Sequence, residues 1–433
     1  GRGRTVGSKE NRMRKQAYGI DFGTTNSAIS FMDNDTTRII RTGNNRRKMI
    51  RSELFFPRDD DAIHIGDNAF AEYLASEKDG RFIQSIKTVL PSKLFKTTRI
   101  RNTEYEAEDL IALILEYLKF KADRVTGRDV TKVVLGRPVT FAGDENNEQL
   151  AKRRLRTAAE YAGFEEVAFQ FEPIAAAMSY ERTLASDKLV LIADLGGGTS
   201  DFSLIRLGPD RFKARKRSAD VLGNSGVGVA GDALDSAVMS SAFREYFGSN
   251  VKHRNFTGQW LPIPSGIFND LCNKGRVIYL YTPGMVEQLR DIIKDADHPE
   301  PINRLKTLIE NNLGHQVYQT IEGGKKKLSR GENATIQFSK EGLELYLEMT
   351  RTQFNEIIND NIVKVDKSID RLLRETGVSK SEIDTVYMTG GTSLVPRLQQ
   401  LLAAKFPESE LEVSRDSFLS VVNGLGLSCL EFF

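Results

Sequence analysis

Two short segments of the chain carry the same chemistry. Residues 18–31 read YGIDFGTTNSAISF and residues 191–205 read LIADLGGGTSDFSLI. Each is an apolar run ending in an aspartate, then a glycine turn with threonine, then a second alternating run. Gly23 lets the backbone turn sharply and approach an anion without a Cβ clash. In the segment Asp21-Phe22-Gly23-Thr24-Thr25-Asn26, backbone N–H groups and the Thr24 and Thr25 hydroxyls are donors for phosphate oxygens. Asp21, at the strand end, suits a divalent cation held through water, because Mg²⁺ gives up its water reluctantly. Asp194 with Gly196, Gly197, Gly198 and Thr199 repeats the arrangement with more glycine. One Asp–Gly turn is an ordinary hairpin turn; two copies plus a third glycine turn form a constellation. That third turn is Met388-Thr389-Gly390-Gly391-Thr392-Ser393, where a strand pattern meets paired glycines and then a helix pattern. It suits a flat adenosine lying against backbone near a helix N-terminus.

Two competing motifs fail. Gly226, Gly228 and Gly231 formally fit G-x-G-x-x-G, but Asp232 and Asp235 follow at once, where a dinucleotide site needs its acidic ribose ligand about 20 residues on. Gly231 is better read as a turn opening a helix near terminal phosphate or ribose. No G-x-x-x-x-G-K-[ST] run occurs, which excludes the P-loop class.

The elements that must position these loops follow from periodicity. Strand, glycine turn, strand is a tight hairpin, and finding it twice predicts two related lobes facing one site. Between the copies lie a helix at 109–124, a strand at 132–136, a helix at 148–163, a strand at 167–171 and a helix opened by Pro173. This alternation predicts an α/β fold. Beyond the second hairpin, helical patterns dominate 232–328. A strand at 333–338, a long helix at 348–375, a strand at 385–388 and a helix at 395–404 follow.

Composition sets the outer limits. The 433 residues are 40% hydrophobic and 28% charged, an ordinary globular balance that excludes wholesale disorder. The 61 Lys and Arg against 59 Asp and Glu leave a net charge of +2, so nothing pulls the chain to nucleic acid or acidic membrane. No apolar run reaches the ~18 residues of a membrane helix. Cys272 and Cys429 cannot build a disulfide framework and fit a reducing cytoplasm. His64, His253, His298 and His315 share no metal-ligand spacing with them. The basic runs 46–48 and 213–217 read as solvated surface. Residues 1–17 read as a tag or disordered start, with a native start at Met13.

In this order, the three loops resemble those of the actin-fold ATPases, with the α/β actin-like (ribonuclease H-like) fold of two lobes around a nucleotide cleft. Within these the chain is similar to the ATPase domain of the heat-shock protein 70 family, the DnaK type. Phe171-Glu172-Pro173-Ile174-Ala175-Ala176-Ala177 and Glu322 to Ser329 (EGGKKKLS) strengthen the likeness, which runs from about residue 18 to 427. More narrowly it looks like the truncated YegD-type bacterial homologues. The resemblance implies that Thr24, Thr25, Gly197, Gly198 and Thr199 bind phosphates, and that Asp21, Asp194 and Glu172 surround Mg²⁺ and its waters. It makes Lys87 the lysine that orients the attacking water and Thr24 a contact of the γ-phosphate. Asp201 takes a position associated with the catalytic site and a bound monovalent ion, K⁺. Glu322, Lys325, Lys326 and Ser329 line the adenosine side with Gly390, Gly391 and Thr392.

Departures are visible. Lys326 stands where the family has an arginine stacking on adenine, and Leu394 replaces another clamp arginine; lysine lacks the planar guanidinium. The interval from Asp232 to Glu322 is long, so an insertion is expected at about 251–313. The tail at 427–433 lacks the clean Asp-Leu-Leu-Leu-Asp form of the family's linker, so no peptide-binding β-sandwich is expected.

The expected organisation is lobe I at 18–187, lobe II at 188–413 and a C-terminal helix at 414–433 returning to lobe I. The expected function is ATP binding and slow ATP hydrolysis with nucleotide-driven lobe rotation in a cytoplasmic, monomeric chaperone-like protein. A protein partner or co-chaperone is expected at lobe II, where Trp260, Phe268 and residues 279–281 would form an apolar surface. Neither nucleic acid nor membrane is expected as a partner. Two alternatives stay open: a small-metabolite or sugar kinase of the same superfamily, with Asp201 as base, and a non-catalytic nucleotide-gated binding module.

Overall fold

The computed structural model describes residues 16–34, 36–76, 79–141, 147–211, 219–414, 416 and 419–433. Met13 and the basic run 213–217 lie outside the described residues.

Two sheets of matching design frame the molecule. The first runs Glu166–Phe171, Lys132–Arg137, Gln16–Phe22, Asn26–Asp33, Thr36–Ile39 in spatial order. The second runs Val221–Val227, Ser200–Leu207, Lys188–Leu195, Thr385–Thr389, Glu410–Val413. In each, one hairpin pairs antiparallel, and its first strand also pairs parallel with a strand reached through helical crossovers. Helices cover these strands, and strand Lys188–Leu195 accordingly reads as a nearly continuous buried run. The first strand begins at Gln16 with Ala17 fully buried, inside the segment expected to precede the fold.

Each lobe has its own core. A third cluster joins them: Ala175, Ala176 and Ala177 of helix Glu172–Glu181 meet Val421, Leu425 and Cys429 of helix Ser420–Phe432, and Val190 and Ile192 of lobe II. The two helices touch backbone to backbone at Gly424, where an added Cβ would lie 1.6 Å from the Ala175 carbonyl oxygen. The C-terminal helix also packs on strand Gln16–Phe22 and its neighbours.

Some elements differ from expectation. Residues 348–350 belong to strand Leu343–Thr350, and the Thr350–Gln353 capping box starts helix Arg351–Ile357. A separate helix, Asn359–Thr376, follows. The insertion contains a small hairpin, Lys252–Arg254 with Trp260–Pro262, amid its helices. Phe268 and Leu280 are buried in lobe II's core, so they form no apolar surface; Trp260 stays exposed under the Arg254 guanidinium. Among the described residues, no helix is long and apolar enough to cross a membrane.

Candidate functional site

The two hairpin turns face one cleft of about 1190 Å³. Each turn closes the same way: Gly23 N–H donates to the Asn26 carbonyl at 3.0 Å, and Gly196 N–H to the Thr199 carbonyl at 3.0 Å. Neighbours then hold the turns by their carbonyls. Ser52 Oγ donates to Gly23 O (2.7 Å), Thr392 Oγ1 to Gly196 O (2.6 Å) and Asp232 N–H to Gly197 O (2.7 Å). These bonds tie the Gly23, Gly196 and Gly197 carbonyls into the protein. Gly390 has φ 80°, and a Cβ there would meet the Leu195 carbonyl oxygen at 2.3 Å and Asp194 Oδ1 at 3.0 Å. The paired-glycine turn therefore lies directly on the second hairpin.

The floor is acidic. Lys87 rides a short turn, Ile86–Val89, entered through Ser85 in the left-handed region (φ 54°). Its Nζ donates to Glu172 Oε1 at 2.7 Å, and both residues are buried. Glu172 opens helix Glu172–Glu181, with Pro173 in the first turn, where proline loses no hydrogen bond. Burial, then the Glu172 charge, pushes Asp21 up to about 7 against the pull of Lys87. Burial likewise raises Asp194 well above the carboxylate range, helped by Glu172, Asp201 and Asp21. Burial alone would lower Lys87, but Glu172 and Asp21 outweigh it and the ammonium titrates above its usual value.

Asp201 pairs directly across the hairpin from Asp194 and is almost fully buried. Its Oδ1 accepts from the amides of Val139 (2.8 Å) and Thr140 (3.3 Å). Burial, then Glu172, pushes it up to about 7 against those hydrogen bonds. It sits behind the cleft wall, not on it.

The upper wall is helix Gly314–Leu328. Helical spacing puts Glu322, Lys325 and Lys326 with Ser329 along one side, and all four line the cleft. Lys325 Nζ donates to the Gly231 carbonyl (3.0 Å) and pairs with Asp235 (2.7 Å); Lys326 pairs with Glu322 (2.6 Å). Burial would raise Glu322, but Lys274, Lys326 and Lys325 hold it well below the usual carboxylate range.

All of the sequence-predicted site residues except Asp201 thus line one cavity. Sequence reasoning missed Lys274, which enters the wall from the insertion and meets Asp232 (2.8 Å), Asp235 (3.0 Å) and Glu322 (3.2 Å). It also read Arg46, Arg47 and Lys48 as surface charge; they are exposed, yet they line the cleft's mouth with Arg51 and Arg330. Only their place beside the first loop could have shown this, since strand Ile50–Arg51 pairs with Asn26 and Ser27.

Two sheet lobes, each offering an aspartate-ended hairpin to a shared cleft, define the actin-like ATPase fold. The chain belongs to the Hsp70 family, matching "Hsp70 protein" over residues 17–254 and 304–421. It is similar to chaperone protein DnaK of Mycoplasmopsis agalactiae (strain NCTC 10123 / CIP 59.7 / PG2), with 26% identity over 392 residues, 89% of this chain and 53% of that protein. The chain spans about half the length of that relative. The family match passes over residues 255–303, within the stretch expected to be inserted.

Proposed function

We propose that the chain binds Mg·ATP between its lobes and hydrolyses it slowly, with nucleotide state setting the angle between the lobes in a chaperone-like cycle. The observation that carries this reading is the meeting of both phosphate hairpins with the Lys87–Glu172 pair in one cleft. Phosphoryl transfer to water asks for positioning and charge neutralisation more than covalent chemistry. The turn amides and the Thr24, Thr25 and Thr199 hydroxyls bind the phosphates. Lys87, held by Glu172, orients the attacking water and faces the developing charge. Glu322, Lys325, Lys326 and Ser329 hold the adenosine side against Gly390 and Gly391.

The donor set fits Mg²⁺. Asp21, Asp194 and Glu172 are hard oxygen ligands, and burial and mutual repulsion leave Asp21 and Asp194 calling for positive charge. Among the described residues no three acidic, His or Cys groups converge closely enough to hold an ion directly, which favours contact through water. When bound, the cation neutralises phosphate charge; Asp21, Asp194 and Glu172 would hold its hydration shell.

The kinase alternative needs a base open to an acceptor hydroxyl. Asp201 lies off the lining with Oδ1 occupied by two amides, which weighs against that role. The test is phosphate release from ATP and Mg²⁺ alone, repeated with candidate sugar acceptors. Turnover without acceptor supports the ATPase; turnover only with acceptor refutes it. Nucleotide binding without any turnover would leave the nucleotide-gated module in its place.

A further inference from the structure

The inserted segment does not stand apart from the cleft. In the short turn Val277–Leu280, Val277 and Leu280 are buried in lobe II's core, while Ile278 and Tyr279 pack against lobe I's core. One turn therefore grips both lobes. Beside it, a Cβ built on Gly275 would lie 3.3 Å from the Cβ of Thr88, the neighbour of Lys87.

Lys274 starts this crossing. It is buried, lines the cleft, and meets Asp232 Oδ1, Asp235 Oδ2 and Glu322 Oε2. An ammonium has three N–H bonds, so three carboxylates consume it and none is left for a ligand. Its effect on a ligand must pass through the groups it holds. Glu322 is gripped on one oxygen by Lys274 and on the other by Lys326. Asp232 is fixed by Lys274 on one side, and its backbone N–H holds the Gly197 carbonyl of the phosphate turn.

We infer that Lys274 is a positioning residue of the nucleotide site, fixing Glu322 and Asp232, and that it anchors a strap, residues 274–281, which spans both lobes and must loosen before bound nucleotide leaves. This rests on the nucleotide cleft proposed above. The strap couples the adenosine wall to lobe I through Thr88, Ile278 and Tyr279, so wall and lobe closure move together.

The test compares wild type, Lys274→Met and Lys274→Arg by calorimetric titration with Mg·ADP and by single-turnover and steady-state kinetics. Loss of the charge-assisted contacts should weaken ADP about tenfold or more and raise KM in step. The single-turnover rate of the bound nucleotide should change far less than the affinity, since Lys87 and Asp194 are untouched. Lys274→Arg should recover part of the loss, because it restores charge and donors. A second arm does not depend on Lys274: a Thr88→Cys/Gly275→Cys variant brings two Cβ atoms near the ~3.5–4.5 Å of a disulfide. Its oxidation should slow release of a fluorescent ADP and reductant should restore it, with both single-cysteine variants as controls for Cys272 and Cys429. Unchanged affinity in Lys274→Met together with unchanged release from the cross-linked protein would overturn the inference. A wild type that binds no ADP would instead refute the function proposed above, and the inference with it.

Discussion

Replacing Lys87 with Met separates what the Lys87–Glu172 pair does for the fold from what it does for turnover. The pair is short, 2.7 Å, and each side chain is 10% exposed. Removing one partner of such a pair leaves an uncompensated buried charge, at a cost of about 3–5 kcal/mol. Here Glu172 would be left facing Asp21, Asp194 and Asp201, each already pushed up in part by Glu172. Lys87→Met should therefore lower the unfolding free energy, read from denaturant melts, by an amount in that range. It should also slow single-turnover hydrolysis by about 10²–10³, the usual effect of losing one electrostatic contact to a transition state. A second variant, Lys87→Met with Glu172→Gln, removes both charges at similar volume. Stability should return in part, because Glu172 is no longer a buried charge without its partner, while Asp21 and Asp194 still lack the Lys87 ammonium. Turnover should not return, because the lysine facing the water is still missing. Mg·ADP should bind Lys87→Met with an affinity similar to wild type, since the adenosine side of the cleft is untouched. Hydrolysis by Lys87→Met at the wild-type rate, or recovery of the rate in the double variant, would refute the assignment.

Mg·ADP at a hundredfold excess over its dissociation constant should stabilise the chain by about 2.7 kcal/mol, read as a thermal shift; no shift at millimolar nucleotide would remove the binding site from the argument. Gly390→Ala should lose nucleotide binding and stability together: its φ of 80° and the Leu195 oxygen 2.3 Å from a new Cβ leave no room, and a variant melting with wild type would contradict that geometry. Glu53 is buried at the junction of the lobes, 3.9 Å from the Arg51 guanidinium and 3.8 Å from the His315 ring, and burial pushes it up to about 7 despite Arg51. Its folded pKa lies above the ordinary value of ~4.3, so stability is lost as pH rises from about 4.3 to about 7, by about 4 kcal/mol. Glu53→Gln should accordingly raise the melting temperature at pH 8 and leave it nearly unchanged at pH 4; an equal shift at both would show that ionisation is not the cause.

What the sequence disclosed follows from distance along the chain. Each phosphate hairpin is contiguous, and its register is set by one four-residue turn with the same closing hydrogen bond. Glu322, Lys325 and Lys326 share a face of one helix, which spacing alone predicts. Lys87 is different: its partner Glu172 lies 85 residues away, and its own turn begins at a left-handed serine with no sequence signature. Only the resemblance to a known family pointed to it. The helix expected over 348–375 failed for a local reason. Alternation through Leu343, Leu345, Leu347 and Met349 belongs to a strand, and the Thr350 cap decides where the helix begins.

Lys274 was illegible for a stronger reason, and the charge balance of the site explains why it matters. It meets carboxylates 39, 42 and 48 residues away, on elements that only the tertiary fold brings together. On the upper wall, Asp232, Asp235 and Glu322 are matched by Lys274, Lys325 and Lys326, so that wall is close to neutral and suits an uncharged ribose and base. On the floor, among the described residues, the three carboxyls Asp21, Asp194 and Glu172 face one ammonium, Lys87, so ionising all three leaves an excess of negative charge that would repel phosphate. At the mouth, Arg46, Arg47, Lys48 and Arg330 add positive charge. A triphosphate laid along this cleft therefore needs a dication between its phosphates and the floor, and turn amides rather than lysines as its main donors. Taking the charge from Lys274 leaves three carboxylates on the wall against two lysines, and frees Asp232 and Glu322 from the ammonium that fixes them. That is why its loss should be read in affinity while the rate at Lys87 stays where it was.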